Sequence, residues 1–402
     1  MPAFTWDRLA RYRDVARRHP DGIVDLSIGA PADPVPGVVR AALAGASGTP
    51  GYPLTRGTPR LREAAAGWLA RRHGVTADPD AVLPVIGTKE LIAWLPTMLG
   101  CGPGDTVMYP ALAYPTYDVG ARLAGARSLA ADATVAAGPR RVRLAWVNSP
   151  SNPTGRVLPP GHLRKMVSWA RERGAVLASD ECYIEQGWEA EPVSVLRPDV
   201  CGGSHEGLLA VHSLSKRSNM ASYRAGFVTG DPALIADLHE IRRHAGMIVP
   251  APVQAAMAAA LEDDAHADEQ RARYAARRTA LRAALEAAGW KTEHSEAGLY
   301  LWVTRASCDC WESARVLAEA GILVSPGELY GPAGARHIRV ALTATDERIA
   351  AAVARLTALA SSGSAPASSA ASPPSHGSEP FPRRGEAPSN DLIDRLRDDE
   401  AT

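Results

Sequence analysis

A lysine and an arginine eight residues apart are the first pair in this sequence that could do chemistry together. Lys216 ends the run Ser-Leu-Ser-Lys (213–216), and Arg224 is followed by Ala-Gly. A lysine amine can form a Schiff base with an aldehyde, and a guanidinium offers a planar fork of donors to a phosphate. Only four of the 44 basic residues are lysines, so few others could form the Schiff base: Lys89, Lys165, Lys216 and Lys291.

The chain upstream of Lys216 supplies the other groups that a pyridoxal-phosphate site needs. Asn152 lies in Asn-Ser-Pro-Ser-Asn-Pro-Thr-Gly (148–155), and Asp180 and Tyr183 lie in Ser-Asp-Glu-Cys-Tyr (179–183). Each element alone is ordinary, because Asn-Pro-Thr-Gly makes a good turn and an aspartate after a strand often caps a helix. Their combination and order predict pyridoxal 5'-phosphate as the cofactor.

Composition and charge exclude several other classes of protein. The 402 residues carry 44 acidic and 44 basic side chains, which gives no electrostatic basis for binding nucleic acid or an anionic membrane. The five cysteines are scattered without paired spacing, which predicts free thiols and no metal site. No apolar stretch reaches the length of a membrane span or signal peptide, so we expect a cytoplasmic protein.

Short apolar runs alternate with amphipathic stretches, as in an α/β protein. The stretch 162–173 predicts a helix, because its apolar residues recur at spacings of three and four. A mostly parallel sheet covered by helices on both faces is expected from this alternation. The predicted strands are 81–86, 106–109, 144–147, 176–179, 208–212 and 226–229.

The candidate residues follow the predicted strands, where open α/β sheets bind their ligands. Gly87, Thr88 and Lys89 come after a strand and open a helix, whose N-terminal N–H groups suit a phosphate. Asn152 and Asp180 also follow strands, and the run 213–216 ends another. We therefore expect these side chains to meet at one edge of the sheet.

With these motifs in place, the chain resembles the class I/II aminotransferases of the fold-type I pyridoxal-phosphate superfamily, from about residue 6 to about residue 360. Within that family it is most similar to actinobacterial N-succinyldiaminopimelate aminotransferases. The segments that carry this closer resemblance are Pro-Val-Ile-Gly-Thr-Lys-Glu-Leu-Ile (84–92), Ala-Tyr-Pro-Thr-Tyr-Asp-Val-Gly (113–120) and Arg-His-Ala-Gly-Met-Ile-Val-Pro (243–250).

The resemblance implies a large domain with a mostly parallel seven-stranded sheet and a smaller α/β domain. The large, cofactor-binding domain would span 45–288, and the small domain would combine 1–44 with 289–360. Strands are predicted in the small domain at 298–303, 322–325 and 337–342. The segment 361–402 is rich in Ser, Ala and Pro, which predicts a disordered low-complexity tail.

The resemblance also implies a role for each candidate residue. Lys216 would form the Schiff base with the cofactor and transfer the α-proton of the substrate. Asp180 would pair with the nitrogen of the cofactor's pyridine ring, and Asn152 and Tyr183 would hydrogen-bond the ring oxygen. Tyr114 would stack on the ring, and Tyr52 would reach the phosphate of the neighbouring subunit in a homodimer. The substrate carboxylate would be bound by Arg339, with Gly29 and Asn152. The expected phosphate-binding residues are Gly87, Thr88, Lys89, Ser213, Ser215 and Arg224.

The implied reaction is a step of lysine biosynthesis. It transfers an amino group between N-succinyl-LL-2,6-diaminopimelate and 2-oxoglutarate, with N-succinyl-2-amino-6-oxopimelate and glutamate as the products. Lys89, Arg56 and Arg243 are unranked candidates for binding the distal carboxylates of that substrate. A general aspartate or aromatic aminotransferase is the main alternative, and a β-lyase on the same fold is a lesser one. A ligand-sensing regulator would need a DNA-binding domain before the fold, and the early position of Gly29 argues against it.

Overall fold

Thirteen strands and thirteen α-helices make up the part of the chain that the structure describes, residues 5–306 and 308–361 of a computed structural model. The tail predicted to be disordered lies outside the described residues from position 362 onward. The strands are β1 (Val24–Asp25), β2 (Val82–Ile86), β3 (Thr106–Tyr109), β4 (Arg127–Ala130), β5 (Val142–Asn148), β6 (Val176–Asp180), β7 (Leu208–Ser213), β8 (Ala225–Gly230), β9 (Lys291–Glu293), β10 (Tyr300–Thr304), β11 (Ile322–Leu323), β12 (Ser325–Pro326) and β13 (His337–Ala341).

Helices connect nearly all of these strands. The α-helices are α1 (Ala10–Arg17), α2 (Gly37–Gly45), α3 (Pro59–His73), α4 (Thr88–Met98), α5 (Thr116–Leu123), α6 (Pro160–Glu172), α7 (Pro198–Cys201), α8 (Leu214–Arg217), α9 (Pro232–Ala245), α10 (Ala251–Glu262), α11 (Ala265–Ala287), α12 (Cys310–Glu319) and α13 (Asp346–Ser361). Short 3-10 helices cover Thr5–Leu9, Pro79–Ala81, Thr134–Ala137, Gly327–Tyr330 and Pro332–Gly334. None of the helices in the described ranges is long and apolar enough to cross a membrane.

The large sheet has seven strands in the order β2-β8-β7-β6-β5-β3-β4. β8 runs antiparallel to both of its neighbours, and the remaining pairs are parallel. The prediction of a mostly parallel seven-stranded sheet is therefore confirmed. The strand β4 was not among the predicted strands, because it lies at the edge of the sheet and none of its four residues is buried.

Both faces of the large sheet are covered, which explains why its central strands are apolar throughout. In β7 the side chains of Leu208 and Ala210 pack into one core, and those of Leu209 and Val211 pack into another on the opposite face. The predicted helix at 162–173 is α6, whose apolar residues Leu163, Met166, Val167 and Ala170 are all buried. Packing against these two cores holds the strands in place, including the edge of the sheet at which the candidate residues lie.

The second group of strands forms two smaller sheets. β12, β13, β10 and β9 pair in that order as an antiparallel sheet, and β1 pairs with β11 in parallel. The prediction of a single strand at 322–325 is wrong. The chain forms two short strands there, β11 and β12, which belong to different sheets. The boundaries at 44, 288 and 360 between a large and a small domain stay a prediction.

A buried ion pair ties the N-terminal segment to the long helix α11. The guanidinium of Arg277 donates to both carboxylate oxygens of Asp33, at 2.7 and 2.6 Å. Burial raises the pKa of Asp33, but hydrogen bonds from Arg277 and Gln270 outweigh it and leave the pKa below its ordinary value. This pair holds in place the segment that contains Gly29.

Replacing Arg277 with methionine tests the importance of that ion pair. Arg277→Met leaves the Asp33 carboxylate buried without its partner, so we expect the free energy of unfolding to fall by about 3–5 kcal/mol. Denaturant unfolding followed by circular dichroism measures the change. Arg282→Met is the matched control on the same helix, since its more exposed pairs with Glu189 and Glu286 should be worth less than about 1 kcal/mol. Equal losses in the two variants would contradict the prediction.

Candidate active site

The candidate site lies at the edge of the large sheet where the parallel strands end. Gly87 follows β2, Asn148 and Asp180 end β5 and β6, and Ser213 ends β7. Arg224 precedes β8 instead, because that strand is antiparallel and begins at this edge. Side chains from these elements line one pocket of about 200 Å³, which we call the catalytic pocket.

One end of the catalytic pocket has the geometry of an anion cradle. Gly87 has a φ of 72°, and a Cβ atom there would lie 2.3 Å from Nη2 of Arg224, so only glycine lets the guanidinium pack against this turn. Thr88 begins α4 directly after it, with its hydroxyl accepting from the Cys182 thiol at 3.3 Å. Arg224 adopts a φ of 55°, and its Nη1 donates a hydrogen bond to the Ala221 carbonyl at 2.9 Å. A helix N-terminus beside a guanidinium suits a phosphate.

A buried carboxylate lies elsewhere in the same pocket. Oδ2 of Asp180 accepts from the Tyr117 hydroxyl at 2.7 Å, and Oδ1 accepts from the backbone N–H of Cys182 at 3.2 Å. Burial raises the pKa of Tyr117 well above its ordinary value, and the Asp180 charge raises it further. Tyr117 is therefore a neutral donor that stabilises the carboxylate.

Lys216 reaches the pocket from the short helix α8. The Ser213 hydroxyl caps this helix by accepting from the N–H of Ser215 at 3.2 Å. The Lys216 amine lies 5.8 Å from the centre of the Tyr183 ring, and the Tyr183 hydroxyl lies 3.0 Å from that of Tyr300. Burial raises the pKa of Tyr183 well above its ordinary value, with Tyr300 adding to the effect. Both phenols are close enough to the amine side of the pocket to hydrogen-bond a ligand there.

Arg339 on β13 forms the opposite wall of the pocket. Its Nη1 donates to Oδ1 of Asn152 at 2.8 Å and its Nη2 donates to the carbonyl of Ser27 at 2.6 Å, while its Nε is buried without a partner. Burial lowers the pKa of Arg339, but Tyr330, Tyr300 and other neighbouring tyrosines hold it above its ordinary value. The Tyr300 ring centre lies 3.9 Å from the guanidinium carbon. A buried cation with an unpaired donor suits a carboxylate ligand.

Gly29 lies against the same tyrosine. A Cβ atom on Gly29 would lie 2.1 Å from the hydroxyl oxygen of Tyr300, so the close approach of backbone and phenol requires glycine. The N-terminal segment thereby reaches the pocket wall beside Arg339. The residues predicted from the sequence that the structure brings into the pocket lining are Gly29, Thr88, Lys89, Tyr114, Asn152, Asp180, Tyr183, Ser215, Lys216, Arg224 and Arg339.

The remaining predicted residues lie outside that lining. Gly87 and Ser213 shape the backbone that presents Thr88 and Ser215, while Tyr52 is 98% exposed. Of the candidates for distal carboxylates, Lys89 lines the pocket and Arg56 and Arg243 are absent from its lining.

Sequence reasoning missed several residues of the pocket lining, and it also missed Tyr117, which holds Asp180 from beside that lining. Tyr117 follows Tyr114 by three residues, a helical spacing that could have drawn attention to it. Tyr300 and Trp6 come from distant parts of the chain and carry no local pattern. The other pocket residues missed are Ile28, Ile92, Asn148 and Cys182.

A doubly covered sheet with lysine, aspartate and arginine at its carboxyl edge is the architecture of a pyridoxal-phosphate enzyme. Residues 21–356 match the family of class I and II aminotransferases, and the chain belongs to that family. Enzymes of this family and fold depend on pyridoxal phosphate. The expectations of the family, the fold type and the cofactor are confirmed.

Relatives of the chain are also aminotransferases. The OxyQ 4-dedimethylamino-4-oxo-anhydrotetracycline transaminase of Streptomyces rimosus is 63% identical over 357 residues, 89% of this chain and 99% of that protein. A probable aminotransferase of Mycobacterium tuberculosis is 63% identical over 358 residues, 89% and 85% of the two chains. The structure of a probable N-succinyldiaminopimelate aminotransferase from Thermus thermophilus superimposes with a TM-score of 0.79 at 30% identity, covering 89% and 100%.

The residues present in the pocket fit pyridoxal phosphate. The anion cradle at Gly87, Thr88 and Arg224 matches a phosphate, and Lys216 is an amine in the same pocket. Asp180 offers a buried carboxylate for a protonated ring nitrogen, with its other contacts already fixed by Tyr117 and the backbone of Cys182. The donors and acceptors in the pocket thus correspond to the cofactor's ionic groups.

Removing the Tyr117 hydroxyl tests whether the fixed Asp180 carboxylate matters for activity. Tyr117→Phe deletes one hydrogen bond to a charged group, worth about 1.5–3 kcal/mol, so kcat/KM for transamination should fall roughly 10- to 100-fold. Stopped-flow absorbance of the bound cofactor measures this loss of kcat/KM. Tyr274→Phe is the control, because that buried hydroxyl donates to Asn219 at 3.4 Å, outside the pocket. Unchanged kinetics in Tyr117→Phe would show that the hydroxyl is dispensable.

Proposed function

We propose that this aminotransferase transfers an amino group from N-succinyl-LL-2,6-diaminopimelate to 2-oxoglutarate, which yields the corresponding 2-oxo acid and glutamate, and that it also catalyses the reverse reaction. The observation that carries the proposal is Arg339, a fully buried guanidinium with an unpaired Nε in the catalytic pocket. The succinylated compound, glutamate and 2-oxoglutarate all present a carboxylate beside the reacting carbon. A planar guanidinium fork recognises that shared group.

The chain's own residues bind the cofactor and orient the donor. Arg224, Thr88, Ser215 and the N-terminus of α4 hold the phosphate, with Gly87 and Ser213 shaping the backbone there. Asp180 holds the ring nitrogen protonated, and Tyr114 packs on the ring. Asn152, Gly29 and Arg339 hold the donor's α-carboxylate. Lys89 lies at the rim of the pocket, where its ammonium attracts anionic groups.

Proton transfer falls to Lys216. Pyridoxal phosphate, when bound, supplies the aldehyde and the electron sink that make the donor's α-proton acidic. The Lys216 amine takes that proton and holds it at Nζ as the general base. The neutral phenol of Tyr183 and the amide of Asn152 donate hydrogen bonds to the ring oxygen, which keeps it ionised.

A homodimer with shared active sites is part of the proposal. Tyr52 is almost completely exposed, which leaves its phenol available to reach a neighbouring subunit. Leu54, Trp94 and Ile241 are further large apolar side chains that are exposed in one chain. Covering such side chains is a common reason for two copies to associate. Tyr52 would then complete the phosphate site of the partner.

The choice of substrate rests on the relatives of this chain. The probable N-succinyldiaminopimelate aminotransferase from Thermus thermophilus shares 30% identity with this chain. The 63% identity with the OxyQ transaminase favours a second candidate, in which a bulky polycyclic ketone is the amino acceptor. The two candidates differ in the group beyond the reacting carbon and share the chemistry at Lys216.

Half-reactions with separate amino donors test the proposal. The purified enzyme with pyridoxal phosphate is mixed with N-succinyl-LL-2,6-diaminopimelate, glutamate, aspartate or phenylalanine, and the absorbance of the bound cofactor is followed. Rapid conversion by the first two alone is the expected result. An equal response to aspartate or phenylalanine would point to a general aminotransferase. Release of pyruvate and ammonia from a cysteine conjugate would point to a β-lyase.

Converting Arg339 to lysine tests its proposed role with the carboxylate. Arg339→Lys keeps the charge but loses the fork, so KM for glutamate should rise roughly 10- to 100-fold, the equivalent of one charged hydrogen bond. Steady-state kinetics at saturating cofactor measures KM and kcat separately. Arg336→Lys is the control, since Arg336 is exposed three residues earlier. A loss of cofactor affinity with unchanged KM would contradict the assignment.

A further inference from the structure

A second cavity lies beside the catalytic pocket and shares part of its wall. This side cavity has a volume of about 780 Å³. Trp6, Lys89 and Tyr114 border both spaces, so the side cavity adjoins the catalytic pocket directly. Its lining includes Lys89, Ala93, Tyr114, Val119, Leu329 and Tyr330.

The two volumes imply different occupants. The catalytic pocket, at about 200 Å³, is smaller than typical small-molecule sites, which measure about 300–1,000 Å³. Cofactor and reacting carbon take up that space, which leaves little room for a long donor. The side cavity, at about 780 Å³, lies within the usual range. A donor with a large group beyond its α-carbon needs such an adjoining space.

The lining of the side cavity is mainly apolar, with a cation where it meets the catalytic pocket. Ala93 on α4, Val119 on α5 and Leu329 supply aliphatic surface. The charges of Asp118 and Arg122 neutralise each other in an ion pair of 2.6 Å within this lining. Lys89 also lines the cavity and brings an ammonium group to it. Such a lining suits a chain of methylene groups that bears carboxylates.

The walls also connect the side cavity to the proposed carboxylate site. Tyr330 lines the cavity, and its ring centre lies 4.8 Å from the guanidinium carbon of Arg339. A donor whose α-carboxylate is held at Arg339 thus has its reacting carbon in the catalytic pocket. The side cavity lies beyond Tyr330 and Tyr114 from that carbon. The acyl-amino arm of a long donor would pass between the two spaces at the wall that they share, formed by Trp6, Lys89 and Tyr114.

We propose that the side cavity binds the arm of the donor beyond the reacting carbon, an aliphatic chain that ends in an acylated, carboxylate-bearing amino acid centre. This inference rests on the proposed function and deepens it by locating the residues that distinguish a succinylated donor from glutamate. The methylene groups pack against Ala93 and Val119, and Lys89 attracts the carboxylates of the arm. Glutamate is too short to fill the cavity.

Filling the cavity tests the proposal. Ala93→Phe and, independently, Val119→Phe narrow it from two different helices. In each variant the ratio of kcat/KM for N-succinyl-LL-2,6-diaminopimelate to kcat/KM for glutamate should fall about tenfold or more, because the arm collides with the added ring. In a Lys216→Ala background, in which no turnover occurs, titration calorimetry should show a similar loss of affinity for the succinylated donor when Ala93→Phe is added.

A matched control and a clear negative result complete the test. Thr97→Phe adds the same ring to an exposed position on α4 that is absent from the cavity lining, and it should leave the ratio unchanged. Cofactor absorbance and circular dichroism verify that each variant folds. A wild-type enzyme that ignores the succinylated donor would refute the proposed function itself. A wild type that uses it, with variants that keep the wild-type ratio, would overturn only the assignment of the side cavity.

Discussion

The active site depends on keeping the carboxylate of Asp180 buried. A charged group in such surroundings is costly unless fixed donors replace the water it has lost. Tyr117 and the backbone N–H of Cys182 supply those donors to Asp180. Both come from elements next to the end of β6, so the position of the carboxylate is set by the sheet. The apolar cores on the two faces of the sheet thereby determine where this carboxylate lies in the pocket.

A chain of hydrogen bonds extends from Asp180 to the proposed substrate site. Nδ2 of Asn148 donates to the Asp180 carbonyl at 2.9 Å, and Oδ1 of Asn148 accepts from the N–H of Asn152 at 2.7 Å. Oδ1 of Asn152 then accepts from Arg339, whose other arm donates to the Ser27 carbonyl. The carboxylate and the guanidinium are therefore held at fixed positions relative to each other. Such positioning in advance of binding reduces the entropy lost when a donor is oriented for proton transfer.

The sequence was sufficient for the parts of the site that depend on local patterns. Strands buried on both faces are continuous apolar runs, and six of the seven strands of the large sheet were predicted within about two residues of their observed ends. The edge strand β4 lacks that pattern, because its side chains are only partly buried or exposed. Lys216, Asp180, Asn152 and Arg224 lie in recognisable motifs beside strand ends. Tyr300 and Trp6 reach the pocket only through the pairing and packing of distant segments, which no local pattern records.

The arrangement of the two spaces explains why the family is easier to establish than the substrate. Every α-amino acid donor carries the α-amine and α-carboxylate on which Lys216 and Arg339 are proposed to act, so the catalytic pocket by itself discriminates little between such donors. Discrimination requires contacts with the rest of the molecule, and removing one methylene contact in an apolar site changes binding by only about 1–3 kcal/mol. A long donor gains many such contacts in a cavity of about 780 Å³, and glutamate gains few. Aminotransferases that share one catalytic pocket can therefore accept very different substrates through the walls beside it.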